Sequence, residues 1–179
     1  MPGGIIVFGA NGSGKSSLGR ELARTIHYKY MDIEAYHFIK SVIPYTVARS
    51  REDCQRRLLA DIKKHPSFVL SAVTGAFGKE ITSMYRCAVF LSAPLDVRME
   101  RIRQREYVQH GERIRKGGDM HQQHLKFLDF VASRSLARIE QWAQTLACPV
   151  IRVDGTEPLV KNVEYIVKQS LPLLSAATN

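Results

Sequence analysis

Residues 5–22 read IIVFGANGSGKSSLGREL, an apolar run that breaks into glycines, places one lysine after the last of them, and resumes with apolar residues at helical spacing. The run at 5–8 is short and continuous, as expected of a strand buried on both faces, and Leu18, Leu22 and Ile26 recur every fourth residue. Between them, Gly9-Ala10-Asn11-Gly12-Ser13-Gly14-Lys15-Ser16 satisfies the spacing GxxxxGK[ST] in full. Glycines allow a turn whose backbone N–H groups point inward, and the following helix adds partial positive charge at its N-terminus. Phosphate is the ligand such a turn suits. Within this reading Lys15 reaches the β- and γ-phosphates, Ser16 ligates Mg²⁺, and Gly9 to Ser17 cradle a nucleoside triphosphate. A glycine-rich turn bearing an exposed lysine is the plainer alternative, and it requires the spacing and both flanking elements to coincide by chance.

Outward from this unit, the chain alternates between strand and helix patterns. Apolar runs at 68–70, 88–91 and 150–153 each precede a helical pattern, and the last ends in Asp154-Gly155. Ser50 with Asp53 three residues later marks a helix start, after which Cys54, Leu58 and Ile62 lie on one face. Thr156 and Pro158 open a final helix striped by Leu159, Val163, Ile166, Ser170 and Leu174. Leu128, Ile139, Trp142 and Leu146 form one apolar stripe of what reads as a single long helix. Arg134 and Arg138 fall on another stripe with Phe127 and Val131. Buried strands separated by helices predict a parallel sheet covered on both sides, with right-handed crossovers. The chain has 179 residues, enough for one domain with a substantial core, and no internal repeat or linker divides it.

Composition sets further bounds. No segment offers the roughly 20 apolar residues of a membrane span, and the N-terminus lacks the features of a secretory signal. Cys54, Cys87 and Cys148 are scattered without a CxxC pair, which fits buried thiols in a reducing cytoplasm. The formal net charge of +9 predicts anionic partners, either phosphorylated metabolites or nucleic acid. His121 and His124 lie three apart without further ligand spacing, so metal binding is not expected of them.

Three more segments carry chemistry. Within 28–34, YKYMDIE, Asp32 and Glu34 stand two apart at the end of an expected second strand, so their side chains leave it in a similar direction. Helix-capping surface acids are the alternative. Here the chain resembles the small P-loop kinases of the shikimate kinase, gluconate kinase and nucleoside monophosphate kinase group, whose second strand often ends in an acidic D-x-D pattern. The resemblance implies a three-layer P-loop NTPase fold with a five-stranded parallel sheet, a helical acceptor-binding insertion at about 35–65 and a lid at about 106–121. It also implies that Asp32 organises the Mg²⁺ shell and that Glu34 binds or deprotonates the acceptor hydroxyl.

The segment 91–105, LSAPLDVRMERIRQR, is similar to the one that opens the lid of nucleoside monophosphate kinases. Arg98, Arg101 and Arg105 share a helical face, beside an apolar face of Leu95, Met99 and Ile102. By that resemblance Arg101 stacks on adenine and Arg105 meets the transferring phosphoryl group; a solvated basic helix is the alternative. Downstream, Gly111, Arg113, Arg115, Lys116, Gly117 and Gly118 suit a hinged cationic loop, with Arg134 as a second lid arginine and Arg138 a surface residue.

The sequence departs from the group in two places. Its third strand runs into Ser71-Ala72-Val73-Thr74-Gly75 with no acid to help hold Mg²⁺, which leaves Ser16, Asp32 and the nucleotide, and Thr74-Gly75 is expected close to the acceptor. The insertion matches no known substrate signature. The expected activity is ATP-dependent phosphoryl transfer to a small, anionic acceptor, by a monomer or homodimer. A polynucleotide kinase, suggested by Arg49, Arg51, Arg56 and Arg57, and a nucleotide-dependent regulatory ATPase without an acceptor are the alternatives.

Overall fold

A strand that is apolar at every position needs cover on both faces, and β1 (Gly3–Phe8) obtains it. Its side chains alternate across the sheet. Ile5 and Val7 join one core with Leu18, Leu22, Val163 and Ile166, while Ile6 and Phe8 join the other with Leu58, Ile62, Ile139 and Ala143. Full burial of each such side chain contributes about 1.5–3 kcal/mol. The computed structural model describes residues 3–175.

Around β1 lie β2 (Lys29–Asp32), β3 (Ser67–Ala72), β4 (Tyr85–Ser92) and β5 (Val150–Asp154), all parallel, in the order β2-β3-β1-β4-β5. The helices are α1 (Lys15–Thr25), α2 (Ile33–His37), α3 (Arg51–Lys64), α4 (Lys79–Thr82), α5 (Leu95–His110), α6 (His121–Ser133), α7 (Ala137–Gln144) and α8 (Leu159–Ser175). Helices α1 and α8 cover one face of the sheet; α3 and α7 cover the other. This is the expected three-layer α/β architecture. The chain places β2 and β3 on one side of β1 and then crosses to β4 and β5 on the other, and at such a switch point the carboxyl ends of parallel strands leave a crevice.

The capping start of α3 forms as read: the Ser50 hydroxyl accepts a hydrogen bond from the Asp53 N–H at 3.1 Å. The single long helix expected after the lid is instead two, α6 and α7, separated at 134–136. Val131 of α6 packs with Met99 and Ile102, whereas Ile139 of α7 belongs to the core beneath Phe8. One straight helix cannot serve both cores, and serines favour the break. Ser133 Oγ donates to the Asp129 carbonyl, and Ser135 Oγ accepts from the Ala137 N–H.

The segment expected to form a lid, at about 106–121, is also more regular than a loop. Helix α5 runs through His110, a 3₁₀ turn follows (Gly111–Ile114), and Ile114 and Met120 are buried. The arginines of this segment pair locally. Arg113 meets Asp119 at 2.8 Å, and Arg115 meets Glu112 at 2.8 Å while lying 4.9 Å from the Tyr107 ring centroid. No helix among the described residues is long and apolar enough to cross a membrane.

Candidate active site

The stretch between β1 and α1 forms a tight turn. Gly14, at φ 103°, precedes Lys15 in a conformation that a side chain rarely adopts. No side chain caps α1, so the N–H groups of its first turn point into the crevice with no partner inside the helix. Ser71 Oγ donates to the Lys15 carbonyl at 3.1 Å and ties the helix to β3.

Lys15 donates from Nζ to the Ala10 carbonyl at 2.8 Å. Burial lowers its pKa to about 8, against the attraction of Glu34 and Asp32, while Arg105 and Arg98 add to the lowering. An ammonium desolvated to this degree gains from an anion placed beside it. Asp32 ends β2 and accepts from the Glu34 N–H at 3.2 Å, and the Tyr30 hydroxyl donates to its other oxygen at 3.0 Å. Burial pushes the Tyr30 phenol up to about 12, so it remains a donor. Glu34 therefore stands in α2 and not on the strand, and two-residue strand spacing does not explain why the acids converge. Asp32 caps the helix that carries Glu34, and both side chains line the same cleft. Burial and the neighbouring Asp32 raise the Glu34 pKa above its ordinary value, with Arg105 and Lys15 opposing.

The three arginines of α5 divide by depth. Arg98 is buried and latches the phosphate loop, donating to the Asn11 carbonyl at 3.2 Å and the Ala93 carbonyl at 3.1 Å. Arg101 bridges the Ser13 carbonyl at 3.2 Å and the Gly155 carbonyl at 2.8 Å. Arg105 is half in solvent, pairs with Glu106 at 3.7 Å and lines the cleft with Glu34 and Lys15. Arg134 lies apart, its guanidinium carbon 5.1 Å from the Phe130 ring centroid, in a small crevice with Asn11 and Arg98 and outside the main cleft. The close approach at Gly75 is to Trp142, 2.9 Å from where a Cβ would stand; the Tyr85 hydroxyl donates to its carbonyl at 3.1 Å. Packing, and not an acceptor, explains that glycine.

Two cavities meet here. A cleft of about 460 Å³ runs over the phosphate loop from Asp32 and Glu34 to the β5–α8 turn at Gly155 and Glu157 and to Asn162 in the first turn of α8. A second pocket of about 270 Å³ lies between the insertion and α6, with Phe38, Tyr45, Phe127 and Phe130 in its wall. Asn11, Glu34 and Arg105 line both. Asn162, whose amide donates to the Asp154 carbonyl at 2.7 Å, and the aromatic residues of the second pocket are site residues that sequence reasoning missed. For Asn162 the strand-ending Asp154-Gly155 was the available signal; for the aromatics there was none.

The donor set suits Mg²⁺ carried in with a nucleotide. Among the described residues no group of three or more His, Cys, Asp or Glu side chains is placed to hold a metal, whereas the Ser16 hydroxyl and the Asp32 carboxylate are among the oxygen donors that border the cleft. Mg²⁺ commonly takes one or two carboxylates and completes its octahedron with substrate phosphates and water.

Comparisons with known proteins agree with this fold. The chain is 28% identical over 175 residues to "Uncharacterized protein YqaC" of Bacillus subtilis (strain 168), covering 93% of this chain and 97% of that protein. Its fold matches a gluconokinase from Sinorhizobium meliloti 1021 with TM-score 0.55 and 19% identity, over 99% of this chain and 98% of that one. A shikimate kinase from Bacteroides thetaiotaomicron matches with TM-score 0.59 and 18% identity, over 93% and 97%. The fold is thus that of small P-loop kinases. Residues 5–123, from β1 through the phosphate loop and lid segment into α6, match the AAA domain family, and the chain belongs to that family.

Proposed function

We propose that the protein transfers the γ-phosphoryl group of ATP to the hydroxyl of a small acceptor. The observation that carries this reading is the junction: Asn11, Glu34 and Arg105 border both the cleft over the phosphate loop and the adjoining aromatic-walled pocket. Two substrates seated in the two cavities would meet at these side chains.

ATP would lie with its phosphates on the backbone of Gly9 to Ser17, with Lys15 on the β- and γ-oxygens and Arg101 and the Gly155 turn toward the base. Mg²⁺, held by Ser16 and Asp32 together with the phosphates, supplies neutralisation of charge during transfer. The acceptor oxygen attacks the γ-phosphorus, the bond from that phosphorus to the β,γ-bridging oxygen breaks, and ADP leaves. The hydroxyl proton passes to the Glu34 carboxylate. A raised Glu34 pKa suits that role, because a carboxylate whose pKa is raised takes a proton more readily. Arg105 faces the oxygens on which charge grows, where a planar guanidinium can grip two at once. The chain acts as a single domain, with the insertion at about 35–65 receiving the acceptor and 106–121 acting as lid. Arg134, placed beside Asn11 and Arg98, would support the phosphate loop from outside.

The test follows label from γ-labelled ATP. It should appear on an acceptor rather than in free phosphate, and Lys15→Ala should weaken ATP binding by about 1.5–3 kcal/mol, the contribution of a charge-assisted contact. Parent-like ATP affinity in that variant would overturn the assignment.

A further inference from the structure

Resting on the kinase reading, we infer that the acceptor is an uncharged molecule of the nucleoside class, a flat hydrogen-bonding heterocycle carrying a sugar hydroxyl, and not the anionic metabolite that the whole-chain charge predicts. The net charge of +9 is not delivered to the second pocket. Arg105 is its one arginine, at the junction with the nucleotide cleft, and it is offset by Glu34 and by Glu106, whose carboxylate lies 3.7 Å from it. Neighbouring arginines are engaged elsewhere. Arg49 donates to the carbonyls of Tyr36 at 3.0 Å and Phe38 at 2.6 Å, Arg56 and Arg57 both bind Asp53, and Arg113 pairs with Asp119. A carboxylate or phosphate on the acceptor would enter a largely apolar enclosure already holding more acids than arginines. Burying such a charge without a partner is costly, and anion sites ordinarily supply arginine forks for this purpose.

The pocket offers flat apolar surface instead. Phe38 and Tyr45 meet edge to face at 5.4 Å between centroids, and Phe127 and Phe130 of α6 stand among the other lining residues. Tyr45 holds φ 63°, an uncommon backbone conformation for a bulky residue, and it lines the pocket together with Glu34. Polar groups edge this surface. His124 takes the Glu106 carboxylate at Nδ1, 2.6 Å away, which leaves Nε2, and Gln123 donates its amide to the Pro44 carbonyl at 3.0 Å, which leaves its oxygen. A ring that stacks on aromatics and presents donors and acceptors at its rim satisfies both features, and an attached hydroxyl would extend toward Glu34. A purely apolar alcohol would leave the rim unanswered.

The experiment uses the full chain with Mg²⁺ and γ-labelled ATP. It compares adenosine, guanosine, cytidine and uridine with their 5′-monophosphates, gluconate and shikimate. At least one nucleoside should become labelled and raise ADP formation at least about tenfold over the acceptor-free rate, and its monophosphate should be the poorer acceptor. Preferred labelling of a monophosphate or sugar acid, or no response to any nucleoside, overturns the inference. Calorimetric binding of a non-hydrolysable ATP analogue separates the two claims. If the analogue fails to bind, the kinase reading itself falls; if it binds and label goes to an anionic acceptor, only the nucleoside assignment does. Phe130→Ala supplies a second readout at a side chain 49% exposed, which spares the core. It should raise the nucleoside KM about tenfold with a smaller change in the KM for ATP, as expected when a stacking face is lost. An unchanged nucleoside KM would remove the stacking argument.

Discussion

The two cavities that meet at Glu34 are made differently. The nucleotide cleft has a floor of consecutive backbone, a glycine-rich turn between β1 and α1, and is braced by arginines that donate to carbonyls. The adjoining pocket is assembled from side chains of the insertion, of α5 and of α6, far apart in the sequence. A site of the first kind is fixed by a short local motif. A site of the second kind is fixed by how distant segments pack.

If the comparison is right, the largest effect belongs to the residue that borders both. Glu34→Gln should lower phosphoryl transfer by about 10²-fold or more with ATP affinity near that of the parent, because the change removes a proton acceptor and leaves the phosphate loop intact. Rapid-quench measurement of transfer alongside calorimetry would show it, and equal losses in both would make Glu34 part of the nucleotide cleft alone.

The second effect concerns the cleft. Lys15 titrates at about 8 in the free protein, below its ordinary 10.5. Bound phosphates favour the ammonium, so binding must take up a proton once the pH exceeds 8. ATP affinity should be flat below about pH 8 and then fall by up to about tenfold per unit as pH rises, until the pKa of the complex is reached. In the free protein the linkage has the opposite sense. The unfolded chain binds more protons between pH 8 and 10.5, so the stability cost of Lys15 is full below pH 8 and is relieved as pH rises toward 10.5. Calorimetry across pH, with Lys15→Met as reference, checks both signs.

A smaller effect is expected at Asp32. Asp32→Asn retains a side-chain oxygen for capping α2 but loses the charge, so the Mg²⁺ concentration for half-maximal transfer should rise while the acceptor KM stays near that of the parent. Titration of Mg²⁺ at saturating ATP reads this directly. An unchanged requirement would make Asp32 a capping residue only.

The smallest effect is expected in the lid. Its arginines already have partners within the segment, and Gln123, in α6 just beyond it, donates to Pro44 of the insertion. Closure therefore changes few pairings. Hydrogen exchange at 106–118 should slow when a non-hydrolysable ATP analogue and acceptor are both bound, with the insertion at 38–47 slowing alongside it. Unchanged protection in both would make the stretch a static basic surface.

Much of this molecule was determined locally. A run apolar on both faces requires a doubly covered strand, GxxxxGK[ST] between strand and helix requires a phosphate-binding turn, and Ser50 with Asp53 three residues later caps a helix, since each signal needs only neighbours in the chain. The tertiary structure decided matters that depend on contacts between distant residues. It separated three arginines of one helical face into a buried latch, a bridge and a residue turned toward the junction, according to how closely α5 lies against the phosphate loop. It divided one apolar stripe into α6 and α7, because the two halves face different cores. It gave Gly75 to Trp142, and it gathered Phe38, Tyr45, Phe127 and Phe130 into one wall. Such side-chain pockets leave no periodicity or spacing to read, because long-range packing and not local backbone preference brings their residues together.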